Sequence, residues 1–171
     1  LPGNIIEVVT HLGTLLSVII IFRKDIMKFL YDFNNPSTKK YILFLLIGTI
    51  PALIIGLSAK SIILLFFESV KMVSLSLIIT GLILFLSKKR SKKKSVINYK
   101  NSFMIGISQA LAIMPGISRS GITISTGILL GMDAKEAARF SFLLGIPAIT
   151  LSALVELPEA INENHSLGMI P

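Results

Sequence analysis

Residues 102–132 read SFMIGISQALAIM, PGISRSG and ITISTGILLGM, and this stretch decides the fold. The first apolar run, Ser102 to Met114, has 13 residues; the second, Ile122 to Met132, has 11. At a helical rise of ~1.5 Å per residue neither can cross a ~30 Å hydrocarbon core. Between them lies the polar turn Pro115-Gly116-Ile117-Ser118-Arg119-Ser120-Gly121. Two half-length helices joined by such a turn predict a re-entrant hairpin, whose backbone at membrane depth must be buried in protein or line a wet cavity.

Reading outward, the charges fall so as to leave long uncharged runs: 19 residues between Lys40 and Lys60, 16 between Lys71 and Lys88, 18 between Lys100 and Arg119, and 16 between Arg139 and Glu156. Apolar residues make up 53% of the chain and charged ones 15%, below the roughly 25% of soluble domains. Mean hydropathy is +0.80. These values exclude a water-soluble enzyme, a disordered tail and a secreted disulfide scaffold. The expected fold is all-α, a polytopic integral membrane protein forming a single membrane domain over 1–171. It has about four full transmembrane helices (5–22, 41–59, 72–87 and 140–157) plus the re-entrant hairpin 102–132. Pro51 should kink the second span. The chain opens without Met and closes soon after an apolar run, which suggests a piece of a longer protein.

Orientation follows from the basic residues. The loop 23–40 carries Arg23, Lys24, Lys28, Lys39 and Lys40, and the loop 88–100 carries seven more Lys and Arg. Both should be cytoplasmic. A hairpin entering and leaving on that side keeps Lys135 and Arg139 inside, and the last span delivers the acidic tail 158–171 outside. The net charge of +8 is then a matter of lipid-facing loops, and no nucleic-acid partner is expected. With 0 Cys there is no disulfide, thiolate metal site or Cys nucleophile.

Arg119 carries the chemistry. An intramembrane Arg costs at least ~2.5 kcal/mol to insert, so it calls for an anionic partner. Ser118 and Ser120 supply hydroxyls. Gly116 and Gly121 let backbone approach a ligand, and the following half-helix aims its amides into the turn. A guanidinium, hydroxyls and a helix N-terminus converging on one point describe a phosphate site, with a small carboxylate as the other candidate. The bland alternative pairs Arg119 with a buried Glu and leaves the serines as helix caps. Gly127 to Gly131 matches the small-xxx-small pattern of close helix contact.

The turn, preceded by Gly106-Ile107-Ser108-Gln109-Ala110-Leu111-Ala112 and followed by Ile122-Thr123-Ile124-Ser125 and Phe140-Ser141-Phe142-Leu143-Leu144, closely resembles the bacterial undecaprenyl-diphosphatase family, also known as the bacitracin-resistance BacA/UppP proteins. Val8-Val9-Thr10-His11-Leu12-Gly13-Thr14-Leu15-Leu16 is similar to that family's first long span, so the resemblance covers essentially the whole chain.

The resemblance implies a membrane hydrolase of the bacterial plasma membrane. It would convert undecaprenyl diphosphate to undecaprenyl phosphate and phosphate, recycling the lipid carrier of peptidoglycan synthesis and conferring bacitracin resistance. Its fold would be an inverted-repeat architecture with its active site open to the outer face. A divalent cation, Mg or Ca, is implied as cofactor, and undecaprenyl diphosphate and membrane lipid as partners; a homo-oligomer is left open. Arg119 falls on the family's diphosphate-holding Arg, with Ser118 and Ser120 beside it as catalytic candidates. Gly116, Gly121, Gln109 and Thr123 are the candidates for substrate binding. The family's Glu-rich stretch and its Pro-x-Ser-Ser-x-Gly-His turn would precede Leu1, so no catalytic Glu, catalytic His or metal ligand falls within these residues, and this stretch by itself is expected to be inactive. His11, on the first long span, is read as a packing or cavity-facing His and Glu7 as a headgroup contact. The rival function is an isoprenoid-lipid flippase or a secondary transporter in which Arg119 binds an anion without cleaving it.

Overall fold

The computed structural model describes residues 3–58, 66, 69–88 and 95–167, with side chains from 9 to 154 within those segments. Most of the connector 60–71, the basic run 89–94 and the last four residues lie outside the described residues, as do the side chains of Glu7 and of the acidic tail. Seven helices are described: α1 (Gly3–Ile21), α2 (Arg23–Tyr31), α3 (Pro36–Ser58), α4 (Val70–Ser87), α5 (Tyr99–Leu111), α6 (Arg119–Leu129) and α7 (Ala134–Leu167). The described residues hold no strand, and one isolated parallel bridge links Ser95 and Met132. The all-α membrane architecture is as the sequence predicts.

Local chemistry sets the helix ends. Pro36 sits at the first position of α3, where its missing N–H costs nothing, and the Asn35 side chain accepts from the Ser37 amide at 2.9 Å. For that reason α3 begins several residues ahead of the apolar run at Tyr41. Asn98 caps α5 by accepting from the Asn101 amide at 3.0 Å, and Ser69 caps α4 at Met72. Gly131 ends the second half-helix with φ of +90°, a left-handed conformation that L side chains rarely adopt. Pro51 and Pro147 both lie within continuous helices, and α7 continues through Pro158 to Leu167 instead of stopping near Leu157.

Three helical stretches are long and apolar enough to cross a membrane: Pro36–Ser58, Val70–Ser87 and Ala134–Leu154; Val9–Ile21 is a shorter apolar one. Helix α4 is turned inside out relative to a helix of a soluble protein. Its buried residues are Ser76, Thr80 and Ser87, while Leu77, Ile78, Leu82 and Phe85 lie exposed on its outer surface. In a bilayer that arrangement is stable, because lipid solvates the aliphatic side chains and the hydroxyls can bond inside the bundle.

Helix α5 packs against α3 on one side and α6 on the other, and α7 closes the bundle against α1, α3 and α6. The α3–α5 crossing is made at Gly48 and Gly106, where a Cβ on Gly106 would stand 2.9 Å from the Gly48 Cα. Beside it, the fully buried Ser102 hydroxyl donates to the Phe44 carbonyl, and Ile105, Phe140, Leu143 and Leu144 fill the core.

One end of the bundle gathers residues far apart in sequence. Arg139 at the start of α7 pairs with Asp25 of α2, lies 3.6 Å from Glu136 and stacks over the Tyr41 ring. The Tyr99 ring, at the start of α5, meets Phe44 edge-on at 5.0 Å between centroids. The Ser95 amide donates to the Gly131 carbonyl at 2.7 Å. The start of α5 and the end of α6 therefore share this end, and the 112–118 turn between them reaches into the bundle.

Candidate active site

The site is built on the turn between α5 and α6. Gly116 has φ of +85°, and a Cβ there would stand 3.1 Å from the Ser76 Cβ and within 2.5 Å of the Val73 carbonyl oxygen. The turn thus depends on glycine twice, for its backbone conformation and for its closeness to α4. The Ser118 amide points toward the Thr80 hydroxyl of α4 at 3.4 Å, and Thr80 itself donates to the Ser76 carbonyl at 2.9 Å. The Thr80 hydroxyl, itself anchored on the Ser76 carbonyl, consequently holds the turn from behind.

Ser118 is the N-cap of α6. Its side chain accepts from the Gly121 amide at 3.2 Å, and its carbonyl accepts from the Ile122 amide at 2.9 Å. Gly121 permits this closure, since a Cβ there would come 2.9 Å from the Ser118 hydroxyl oxygen. Of the amides at this helix start, Gly121's is held by the Ser118 cap and Ile122's by the first helical bond. Those of Arg119 and Ser120 are left for a ligand. Ser118 itself is exposed and Ser120 half-buried.

Arg119 is the first residue of α6, and its guanidinium crosses to α7, where it lies against Gly145. A Cβ at Gly145 would overlap the guanidinium and stand 2.9 Å from its Cζ. The Nη1 atom is buried and has no hydrogen-bond partner. No carboxylate pairs with Arg119 among the described residues; the ion pairs of this region belong to Arg139, at the far end of α7's first turns. The expected alternative of a structural Arg–Glu pair has no counterpart among them. A partly buried guanidinium with an unsatisfied Nη1 is costly to leave without a counter-charge, so the arrangement is suited to an anion arriving from outside the protein.

The other sequence-derived candidates separate. Gln109 of α5 is 3% exposed, and both its amide nitrogen and its amide oxygen are buried without a partner. It shares the α5 face of Ser102, Ile105 and Gly106, one turn nearer the site. Thr123 is fully buried: it donates to the Arg119 carbonyl at 2.8 Å, and its oxygen lies 2.5 Å from the Ser141 hydroxyl of α7. Its hydroxyl is committed inside the protein, which makes it an anchor of α6 more than a contact for substrate. His11 is half-buried on α1. Gly127 packs against Ala137 of α7, while Gly131 serves the turn, so only the first small residue of the pattern is a helix contact, made within this chain.

Sequence reasoning missed Thr80, Ser76 and Gly145. Each had a faint signal. Polar residues at 76, 80 and 87 lie on the inward face of a mostly aliphatic helix, where Ser74 faces outward, and Gly145 interrupts the apolar run of α7 two residues before Pro147. Nothing in a single sequence says that either faces the turn.

The residues described here do not fit a divalent cation. Among them no three His, Cys, Asp or Glu side chains come together, and the turn presents a guanidinium, which repels one.

The sequence profile of a family described as Bacitracin resistance protein BacA matches residues 2–170. An undecaprenyl-diphosphatase of Prochlorococcus marinus (strain MIT 9301) is 40% identical, the match covering 99% of this chain and 68% of the relative. Undecaprenyl-diphosphatase 1 of Pseudoalteromonas translucida (strain TAC 125) is 38% identical over 95% of this chain and 65% of its own length. The undecaprenyl-diphosphatase of Christiangramia forsetii is 42% identical over 83% and 55%. The chain spans about two thirds of the first two relatives, at 68% and 65%, and about half of the third, at 55%.

Proposed function

We propose, from the premise that this chain belongs to the bacitracin resistance protein BacA family, that it forms part of an undecaprenyl diphosphatase. The enzyme releases phosphate from undecaprenyl diphosphate and leaves the monophosphate lipid for another round of cell-wall synthesis. The observation that carries this reading is the half-buried Arg119 at the start of a half-length helix, its Nη1 buried without a hydrogen-bond partner and no carboxylate beside it among the described residues.

Each group has a physical part. The Arg119 fork takes two oxygens of the terminal phosphate, an arrangement that a point charge cannot copy. The amides of Arg119 and Ser120 add the positive end of α6, where negative charge grows as the phosphoanhydride breaks. Ser120 and the exposed Ser118 orient phosphate oxygens. The Ser118 hydroxyl still has its proton to donate, because toward Gly121 it acts as acceptor. Gln109 offers two N–H donors and two acceptor positions inside the bundle, and Gly116 and Gly121 keep the turn open to backbone approach. The isoprenoid tail lies among lipid-facing helices, and the site opens to the outer face, opposite the basic end. Mg or Ca would be held by carboxylates other than those described here. Relatives named for hydrolysis leave the flippase or transporter reading unfavoured.

The test is phosphate release from undecaprenyl diphosphate by the intact protein in detergent, with and without Mg or Ca. Arg119→Ala should lower kcat/KM by about 100-fold or more while expression and membrane insertion persist. Turnover unchanged in Arg119→Ala sinks the reading.

A further inference from the structure

The contacts between α6 and α7 share one register. Arg119 lies on Gly145, Thr123 on Ser141, and Gly127 on Ala137, where a Cβ would stand 2.9 Å from the Ala137 Cβ. Each step of four residues along α6 is matched by a step of four backward along α7, so the helices run antiparallel with the same stripe of each in contact. Every pair contains a small side chain, which allows the axes to come close over about 12 Å of helix.

Resting on the diphosphatase reading, we propose that this seam is the positioning device of the site and that Gly145 sets the seat of the Arg119 guanidinium. Two features carry the argument beyond close packing. First, the Thr123 hydroxyl donates to the Arg119 carbonyl at 2.8 Å, and Ser141 supplies a proton to the Thr123 oxygen in turn. This chain of hydroxyls ties the backbone of Arg119 to α7. Second, the atoms that a methyl at residue 145 would strike are the tip of a flexible side chain. The fold yields there cheaply by swinging the guanidinium aside. What changes is the location of the charge, and a misplacement of about 1 Å at a reacting group costs up to 100-fold in rate. Gly145 and Thr123 are therefore positioning residues that act through Arg119.

The experiment measures kcat, KM and thermal midpoint of the intact protein with undecaprenyl diphosphate for Gly145→Ala, Thr123→Val and Ser141→Ala, each also combined with Arg119→Lys. Gly145→Ala should lower kcat/KM about 10- to 100-fold with the midpoint shifted by less than ~2 °C. In the Arg119→Lys background, whose smaller ammonium does not need the notch, the same change should cost less than about threefold, a coupling that a purely structural defect does not produce. Thr123→Val, which keeps shape and removes the hydroxyl, should show the same pattern and stands in if Gly145→Ala fails to fold. Wild-type kinetics in Gly145→Ala, or equal losses in both backgrounds, overturns the proposal and leaves the diphosphatase intact. A folded wild type that releases no phosphate overturns the parent reading, and the positioning role falls with it.

Discussion

Arg119 shows how much one residue's surroundings can say. Its position could be read from the sequence as a lone charge among apolar residues; its lack of a partner could not. The same holds for Ser118, whose residue type suits a cap, a ligand contact or a nucleophile alike. In the fold it is first of all a cap, and replacing it tests that directly. Ser118→Ala should cost about 1 kcal/mol of stability, read from chemical or thermal unfolding, and Ser118→Asp should recover most of it. Gly116→Ala should cost more, about 1–3 kcal/mol, because the methyl meets the Val73 carbonyl and the backbone leaves its left-handed conformation. Loss of Ser118 that leaves stability untouched would show that the cap contributes nothing measurable to α6.

At the scale of elements, the governing feature is close approach at small residues. The α3–α5 crossing is tight because neither Gly48 nor Gly106 has a side chain, and a Cβ on Gly106 would meet backbone that cannot swing away. Gly106→Ala should therefore destabilise by about 1–3 kcal/mol. Gly81→Ala, on the same kind of apolar helix but with open space around it, should be neutral or stabilising by up to about 1 kcal/mol. Thermal unfolding of the two variants beside wild type decides; equal midpoints would remove the crossing from the list of structural constraints. Gly145 forms a third class, since its neighbour is a movable guanidinium and its substitution should spare stability and affect turnover. Three glycines in apolar helices thus carry three different expectations, separable only by what stands opposite each.

For the whole molecule, the distribution of charge sets the frame. Asp25, Glu136, Arg139, Tyr41 and Tyr99 lie at one end with the 23–40 loop, and the hairpin turn penetrates from there into the bundle. The positive-inside reading of the sequence predicts that this end lies in the cytoplasm. These 171 residues contain 0 Cys, so a Cys placed among them, with any Cys elsewhere in the intact protein replaced, reports on one position. Phe33→Cys, at an exposed loop position, should react with a membrane-impermeant maleimide only in inverted vesicles or permeabilised cells, and Ser118→Cys only from the outer face. Labelling of both from one side would refute the outward-opening site.

The all-α membrane architecture and the short helices either side of the turn were legible in the sequence, because they are a matter of run length, charge spacing and residue type along the chain; the exact bounds of the long helices were not. Bilayer thickness converts 13 and 11 apolar residues into half-helices without any knowledge of neighbours. What the tertiary structure alone decided is who stands opposite whom. It set the Thr80 hydroxyl behind the Ser118 amide and withdrew Thr123 into a bond with Ser141. It also laid the Arg119 guanidinium on Gly145, 26 positions away in the chain. Those pairings depend on helix rotation and crossing, which many side chains set jointly; no local pattern encodes them.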